Sequence, residues 1–423
     1  MSGAPRESGV GAAAANGKGV KRPRSEDAGC PSKAIETLAI HGGDQHDPGH
    51  GAIFPPITTA TTFVQPNLGE HGSFCYSRCS NPTRNAYETA LAALEGGPGA
   101  YCTATASGMA ATALALELLE PGGHVLLMSG LYGGTQRLFE QVKTRSMGLE
   151  FTSVDFRDLG AVARGLRENT RMVWLESPSN PLVELVDIPA VVQCVRKAST
   201  GTAPIVCADN TFASAWNQRP LELGVDLVML SASKYVGGHS DMTGGALITR
   251  DPKIAERLNF LKSSIGAIAS PFEAYLALRG LKTLAIRMER QCANALRVAE
   301  YLEGHPRIVS LHYPGLPSSP HYDLCRRQMR TGGAVVTIRL RSCPAGNDTC
   351  MLKRFFARLR YWVLAESLGG VESMINHSAS MSHGSMTEEA RQQAGVFFTT
   401  LRLSVGIELA EDLIGDLEQA LAE

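Results

Sequence analysis

The sequence predicts an α/β protein in two parts: a large, mostly parallel sheet covered by helices, then a smaller α/β unit. Three observations carry this. Apolar runs of strand length alternate with helical stretches between His124 and Lys197, the pattern of a parallel sheet buried on both faces. Two further runs, Ala203–Ala208 and Leu227–Leu230, lead into polar groups, Asp209 after one and Ser231, Ser233 and Lys234 after the other. Finally, a long amphipathic stretch, Pro271–Leu302, separates this series from a second alternation that runs to Glu423.

Size and charge fit that reading and narrow the function. The 423 residues suffice for two domains with a sizeable core, and 44% hydrophobic with 19% charged residues is ordinary for a globular enzyme. Forty basic against 41 acidic residues leave a net charge of −1, so no global field draws nucleic acid or an anionic membrane. No apolar run reaches the length of a membrane span. The opening MSGAPRESGVG lacks a hydrophobic signal core, so secretion is not expected. The ten cysteines show no CxxC pair or companion histidine spacing, which speaks for reduced thiols in a cytoplasmic protein rather than a zinc site.

Residues 1–32 are rich in Gly, Ala, Ser and charge and are expected to stay disordered as a tail. The basic cluster Lys18, Lys21, Arg22 and Arg24 reads as part of that solvated tail. An N-terminal arm, 33–60, follows. It holds His41, His46 and His50, but the interleaved Gly42, Gly43, Pro48 and Gly49 make it irregular, and no metal is expected. The large domain is assigned to 61–285 and the small domain to 286–423.

Taken in order, the large part opens on Tyr76-Ser77-Arg78-Cys79-Ser80-Asn81-Pro82-Thr83-Arg84, ahead of a helix from Asn85 to Leu94 that stops at Gly96-Gly97-Pro98. Next, Thr103 to Met109 forms a small-residue turn at a helix start. Ser107, Gly108 and Met109 there offer either a plain cap or a seat for phosphate, because N–H groups at a helix start lack partners. Neither GxGxxG nor a Walker element is present, so a dinucleotide is disfavoured. After the strand His124–Met128, Tyr132 stands among Gly130, Gly133 and Gly134, where a flat ring could lie against its face. Glu176-Ser177-Pro178-Ser179-Asn180-Pro181 ends a later strand, at the edge where ligands of open α/β sheets gather.

Lys234 is the residue on which the chemistry turns. Placed at the end of an apolar strand and before Gly237 and Gly238, it loses hydration, its pKa falls, and a free amine becomes available for a Schiff base. One strand upstream, Asp209 ends its own run beside Asn210 and Thr211. A buried amine and a buried carboxylate on neighbouring strands are the two charges pyridoxal phosphate needs, one to carry it and one to keep its pyridine nitrogen protonated. In the smaller part, Arg402 lies within the strand Leu401–Val405, where a charge requires a partner.

The stretches ADNTF, SASKYVGGHSD, YSRCSNPTRN, TASGMAA, LYGGT, ESPSNP, AESLGGVES and RLSVGIE together resemble the motifs of the Cys/Met-metabolism (transsulfuration) family of pyridoxal-phosphate enzymes. The resemblance spans nearly everything from Lys33 onward. It implies the fold-type-I, aspartate-aminotransferase-like architecture, with pyridoxal 5'-phosphate on Lys234. It also implies that Gly108, Met109, Ser231 and Ser233 hold the phosphate, that Asp209 and Asn180 hold the ring, and that Ser107 and Thr211 are further cofactor-binding residues. Tyr132 would stack on the ring and serve as an acid near the leaving group. Tyr76 and Arg78 would reach the phosphate of a second copy, within a homotetramer of dimers with shared sites. Arg402, Ser367, Asn180 and Tyr76 would bind the amino-acid substrate, and Glu366 would face the distal ammonium of cystathionine. The implied activity is cystathionine γ-lyase, releasing cysteine, 2-oxobutanoate and ammonia, with possible production of hydrogen sulfide. Cys75 stands where γ-lyases often carry Glu, and Asn376–Met381 resembles γ-synthases or methionine γ-lyases. Those two activities are the alternatives, with a catalytically silent binding protein as the third.

Overall fold

The computed structural model describes residues 34–42, 50–70, 72–199, 201–384 and 386–422. The predicted tail, with its basic cluster, and His46 lie outside the described residues. Seven strands form the larger sheet: β1 (Tyr101–Thr105), β2 (His124–Met128), β3 (Glu150–Val154), β4 (Thr170–Glu176), β5 (Ile205–Asp209), β6 (Leu227–Ser231) and β7 (Gly245–Thr249). Their order is β1-β7-β6-β5-β4-β2-β3. Only β7 runs against its neighbours; the remaining pairs are parallel. Central strands such as β2 are buried along their whole length, as a sheet covered by helices on both faces requires.

A second sheet of five strands, β8 (Ile308–His312), β9 (Val335–Leu340), β10 (Val363–Leu364), β11 (Met374–His377) and β12 (Thr400–Ser404), has the order β10-β11-β12-β9-β8. It is antiparallel apart from the β10–β11 pair. Each sheet has its own apolar core, and the two cores meet along the helix Leu284–Leu302. Leu284, Ala285, Met288 and Cys292 pack into the first, while Ala295, Val298, Ala299 and Leu302 pack into the second.

Several elements depart from the sequence reading, four of them in ways that bear on the layout. The stretch read as one helix over Pro271–Leu302 is two, Pro271–Leu281 and Leu284–Leu302. The Gly280 carbonyl at the break is occupied by the Arg287 guanidinium at 2.8 Å and the Thr283 hydroxyl at 3.2 Å. The same carbonyl takes the Thr283 N–H at 3.1 Å in a tight turn in place of the next helical bond, and the helix ends there. Thr103–Thr105, read as part of a turn, closes strand β1, and β7 and β11 were not expected from the sequence at all. All three are short and lie beside glycine or small polar residues, so no apolar run announced them.

Candidate active site

The carboxyl ends of β4, β5 and β6 open into a cavity of about 550 Å³, closed on its far side by residues of the second sheet. Its floor is the start of a helix. Three helices lead the chain to this point: α1 (Ile35–His41), α2 (Pro82–Gly96) and α3 (Gly108–Leu116). Ser107 caps α3, its side chain accepting from the Ala110 N–H at 3.0 Å and its carbonyl from Ala111 at 3.0 Å. That leaves the first two N–H groups of α3, those of Gly108 and Met109, for a ligand, and both residues line the cavity. Gly108 cannot be larger: a Cβ there would lie 2.9 Å from Ser231 Cβ and 3.0 Å from its Oγ. Ser231 and Ser233 line the same corner. Backbone donors and hydroxyls meet in this corner, a chemistry that could hold an anion.

Asp209 ends β5 in register with Glu176 of β4 and Met229 of β6. Burial pushes its carboxyl up to about 6, and the hydroxyl and N–H of Thr211 work the other way. A cation placed against this oxygen would hold it ionised. Thr211 is itself fixed, accepting the Ser231 N–H at 2.9 Å and donating its own N–H to Asp209 at 3.0 Å.

Lys234 follows β6 in a tight turn in which its carbonyl accepts the Gly238 N–H at 2.8 Å. Its Nζ donates to Ser367 Oγ at 2.7 Å. Burial, with the positive charge of Arg402 adding to it, brings the amine down to about 8, against the pull of Glu366. Ser367 has φ of +95°, a left-handed conformation that a serine adopts only under constraint.

Arg402, in the middle of β12, is buried and forms no ion pair among the described residues. Its Nη1 donates to Asn180 Oδ1 at 2.8 Å, its Nη2 donates to the Ser367 carbonyl at 2.7 Å, and its Nε has no partner among the described residues. A buried guanidinium with an unpaired N–H at a cavity wall has the donor geometry to take a carboxylate. Tyr132, 42% exposed, lays its ring over Gly134, where a Cβ would meet ring carbon Cε1 at 2.4 Å.

Of the residues singled out in the sequence, Ser107, Gly108, Met109, Tyr132, Asn180, Asp209, Thr211, Ser231, Ser233, Lys234, Glu366, Ser367 and Arg402 all line this one cavity. Tyr76 and Arg78 do not. The Arg78 guanidinium lies 5.5 Å from the centroid of the half-exposed Tyr76 ring and donates to the Ser263 carbonyl, so within one chain neither reaches the site. Sequence reasoning gave no role to Glu176, Arg137 or Phe212, which also line it. Glu176 opens the stretch ESPSNP, and its place at a strand end, matching that of Asp209, is the signal that marks it. The segment Asn376–Met381 also proves to be cavity wall, through Asn376, Ser380 and Met381. Cys75 is exposed and lies outside it. Among the described residues no group of three or more His, Cys, Asp or Glu could hold a metal ion, and no helix is long and apolar enough to cross a membrane.

Residues 36–422 match the family profile described as Cys/Met metabolism PLP-dependent enzyme. A cystathionine beta-lyase of Coxiella burnetii is 48% identical over 92% of this chain and 97% of its own. A cystathionine gamma-synthase of Mycobacterium tuberculosis is 47% identical, covering 91% and 96%. The crystal structure of a cystathionine gamma-lyase from Lactobacillus plantarum, complexed with L-serine, superposes with a TM-score of 0.86 at 40% identity, covering 92% of this chain and 98% of that one.

Proposed function

The chain belongs to the Cys/Met-metabolism PLP-dependent enzymes, and from that premise we propose that it is a cystathionine γ-lyase, cleaving L-cystathionine with one water into cysteine, 2-oxobutanoate and ammonia. The residues present fit the cofactor. The open N–H groups of Gly108 and Met109, with Ser231 and Ser233 beside them, suit its phosphate. Asp209 suits its pyridine nitrogen, Tyr132 its ring face, and Lys234 its aldehyde. Pyridoxal phosphate, when bound, supplies the electron sink for bonds broken at the substrate's α- and β-carbons.

The observation that carries the proposal is the junction at Ser367. Its hydroxyl accepts from the Lys234 amine at 2.7 Å while its carbonyl accepts from Arg402 at 2.7 Å. A base and a carboxylate receptor thus share one strained residue. In this reading Arg402 takes the substrate α-carboxylate, which sets the α-carbon proton within reach of Lys234. Lys234 then moves protons at the α- and β-carbons, with its pKa already brought near neutrality by burial. Tyr132 gives a proton to the departing sulfur. Glu366, on the cavity wall next to Ser367, faces the distal ammonium. That attraction is about 1 kcal/mol in water and roughly 4 kcal/mol at an effective dielectric of 20, enough to choose among thioether substrates.

Replacement at the γ-carbon of an O-acyl-homoserine is the second reading. It is favoured by the wall formed by Asn376, Ser380 and Met381 and by a γ-synthase relative at 47% identity. Product analysis separates the readings. Cofactor-loaded protein given L-cystathionine should yield 2-oxobutanoate and cysteine. Pyruvate with homocysteine would overturn the γ-lyase proposal, as would turnover confined to an O-acyl-homoserine plus cysteine.

A further inference from the structure

We propose that Glu176 is a positioning residue whose carboxylate fixes Tyr132 and Asn180 relative to one another, so that the ring partner and the Arg402 partner are set as one unit. Glu176 is buried at the end of β4, and its two oxygens are divided between two chain segments. Oε2 accepts the Tyr132 N–H at 2.9 Å and Oε1 accepts the Asn180 N–H at 3.1 Å. Tyr132 lies 44 residues away in sequence, in a loop after β2, and this side chain ties that loop to the β4 loop. From Asn180 the connection continues to Arg402 at 2.8 Å, from Arg402 to the Ser367 carbonyl at 2.7 Å, and from Ser367 Oγ to Lys234 at 2.7 Å. Glu176 is therefore the link that joins Tyr132 to the chain of contacts ending at the proton-moving amine.

Its surroundings make the role specific. The facing residue on β5 is Asp209, and burial together with that neighbouring acid raises the Glu176 carboxyl well above its ordinary range. The Tyr132 and Asn180 N–H groups work the other way, because two donors on two separate oxygens favour the form that accepts at both.

The inference rests on the reading that Tyr132 and Asn180 hold the cofactor, and the experiment separates the two. Apoprotein is titrated with pyridoxal phosphate, followed by visible absorbance and circular dichroism, for wild type and for Glu176→Gln, Glu176→Ala, Tyr132→Ala and Asn180→Ala. Glutamine keeps the volume and one acceptor but turns an amide donor toward the second N–H. The expected dissociation constant rises about tenfold for Glu176→Gln and about a hundredfold for Glu176→Ala, one and two lost hydrogen bonds respectively. The visible dichroism weakens in step, while the apoprotein melting curve of Glu176→Gln stays close to wild type. Unchanged loading and dichroism in Glu176→Gln, with Tyr132→Ala and Asn180→Ala both impaired, overturns the inference. No effect from any of the four overturns the parent reading and the inference with it.

Discussion

Lys234 sits where burial opposes its charge, and that single fact gives the site a pH signature. Only the neutral amine attacks an aldehyde, so the rate at which apoprotein captures pyridoxal phosphate should climb with pH and level off through a midpoint near 8. Stopped-flow absorbance measures it; a midpoint near the ordinary lysine value of 10.5 would contradict the assignment. The stability consequence has the same origin. Below about 8 the amine is protonated in both folded and unfolded chains, and the fold bears the cost of a buried charge. Between about 8 and 10.5 the unfolded chain holds more protons than the folded one, so apoprotein stability rises with pH across that window. Arg402 is the second test at this scale. Replacing it with Gln removes charge-assisted bonds of about 1.5–3 kcal/mol, so KM should rise on the order of 10- to 100-fold. The same change removes a positive neighbour of Lys234 and should move the capture midpoint upward.

Two elements hold these residues in place, and each has a weak point. The start of α3 packs so tightly on β6 that Gly108→Ala would drive a methyl group into Ser231. The α3 N-terminus must then shift away from the serine hydroxyls, and cofactor affinity should fall by at least about tenfold, measured by fluorescence titration, while far-UV dichroism is retained. Wild-type affinity in Gly108→Ala would remove the phosphate from that corner. The loop before α2 depends on Arg84, which is fully buried and donates to the Ser77 carbonyl at 2.6 Å and the Ala269 carbonyl at 3.2 Å. Arg84→Met leaves those carbonyls without their donor at about 1–3 kcal/mol each. The melting temperature should drop by several degrees and proteolysis should begin near Tyr76. An unchanged melting curve would show that the loop does not rely on this side chain.

At the scale of the whole molecule the site is assembled from both sheets, Lys234 and Asp209 from the first, Ser367 and Arg402 beside or within the second. Tyr76 and Arg78 lie outside it within one chain, and we propose that a second copy supplies them. Mixing Lys234→Ala with Arg78→Ala protein, each inactive alone, should then restore about a quarter of wild-type activity after subunit exchange, one intact site in half of the dimers. No recovery despite demonstrated exchange would confine each site to one chain. Much of this was legible beforehand where physics leaves a one-dimensional trace. The runs Leu227–Leu230 and Ala203–Ala208 announced buried strands, and the polar residues ending them announced a sheet-edge site. What stayed hidden depends on tertiary partners: the break at Lys282-Thr283 needs Arg287 folded back on Gly280, and the role of Glu176 needs Tyr132 brought to it across 44 residues. The most direct test of the central claim is borohydride reduction of the cofactor-loaded protein followed by peptide mass mapping. A phosphopyridoxyl group on Lys234 is the expected result; the group on another lysine, or on none, would contradict the assignment of this cavity.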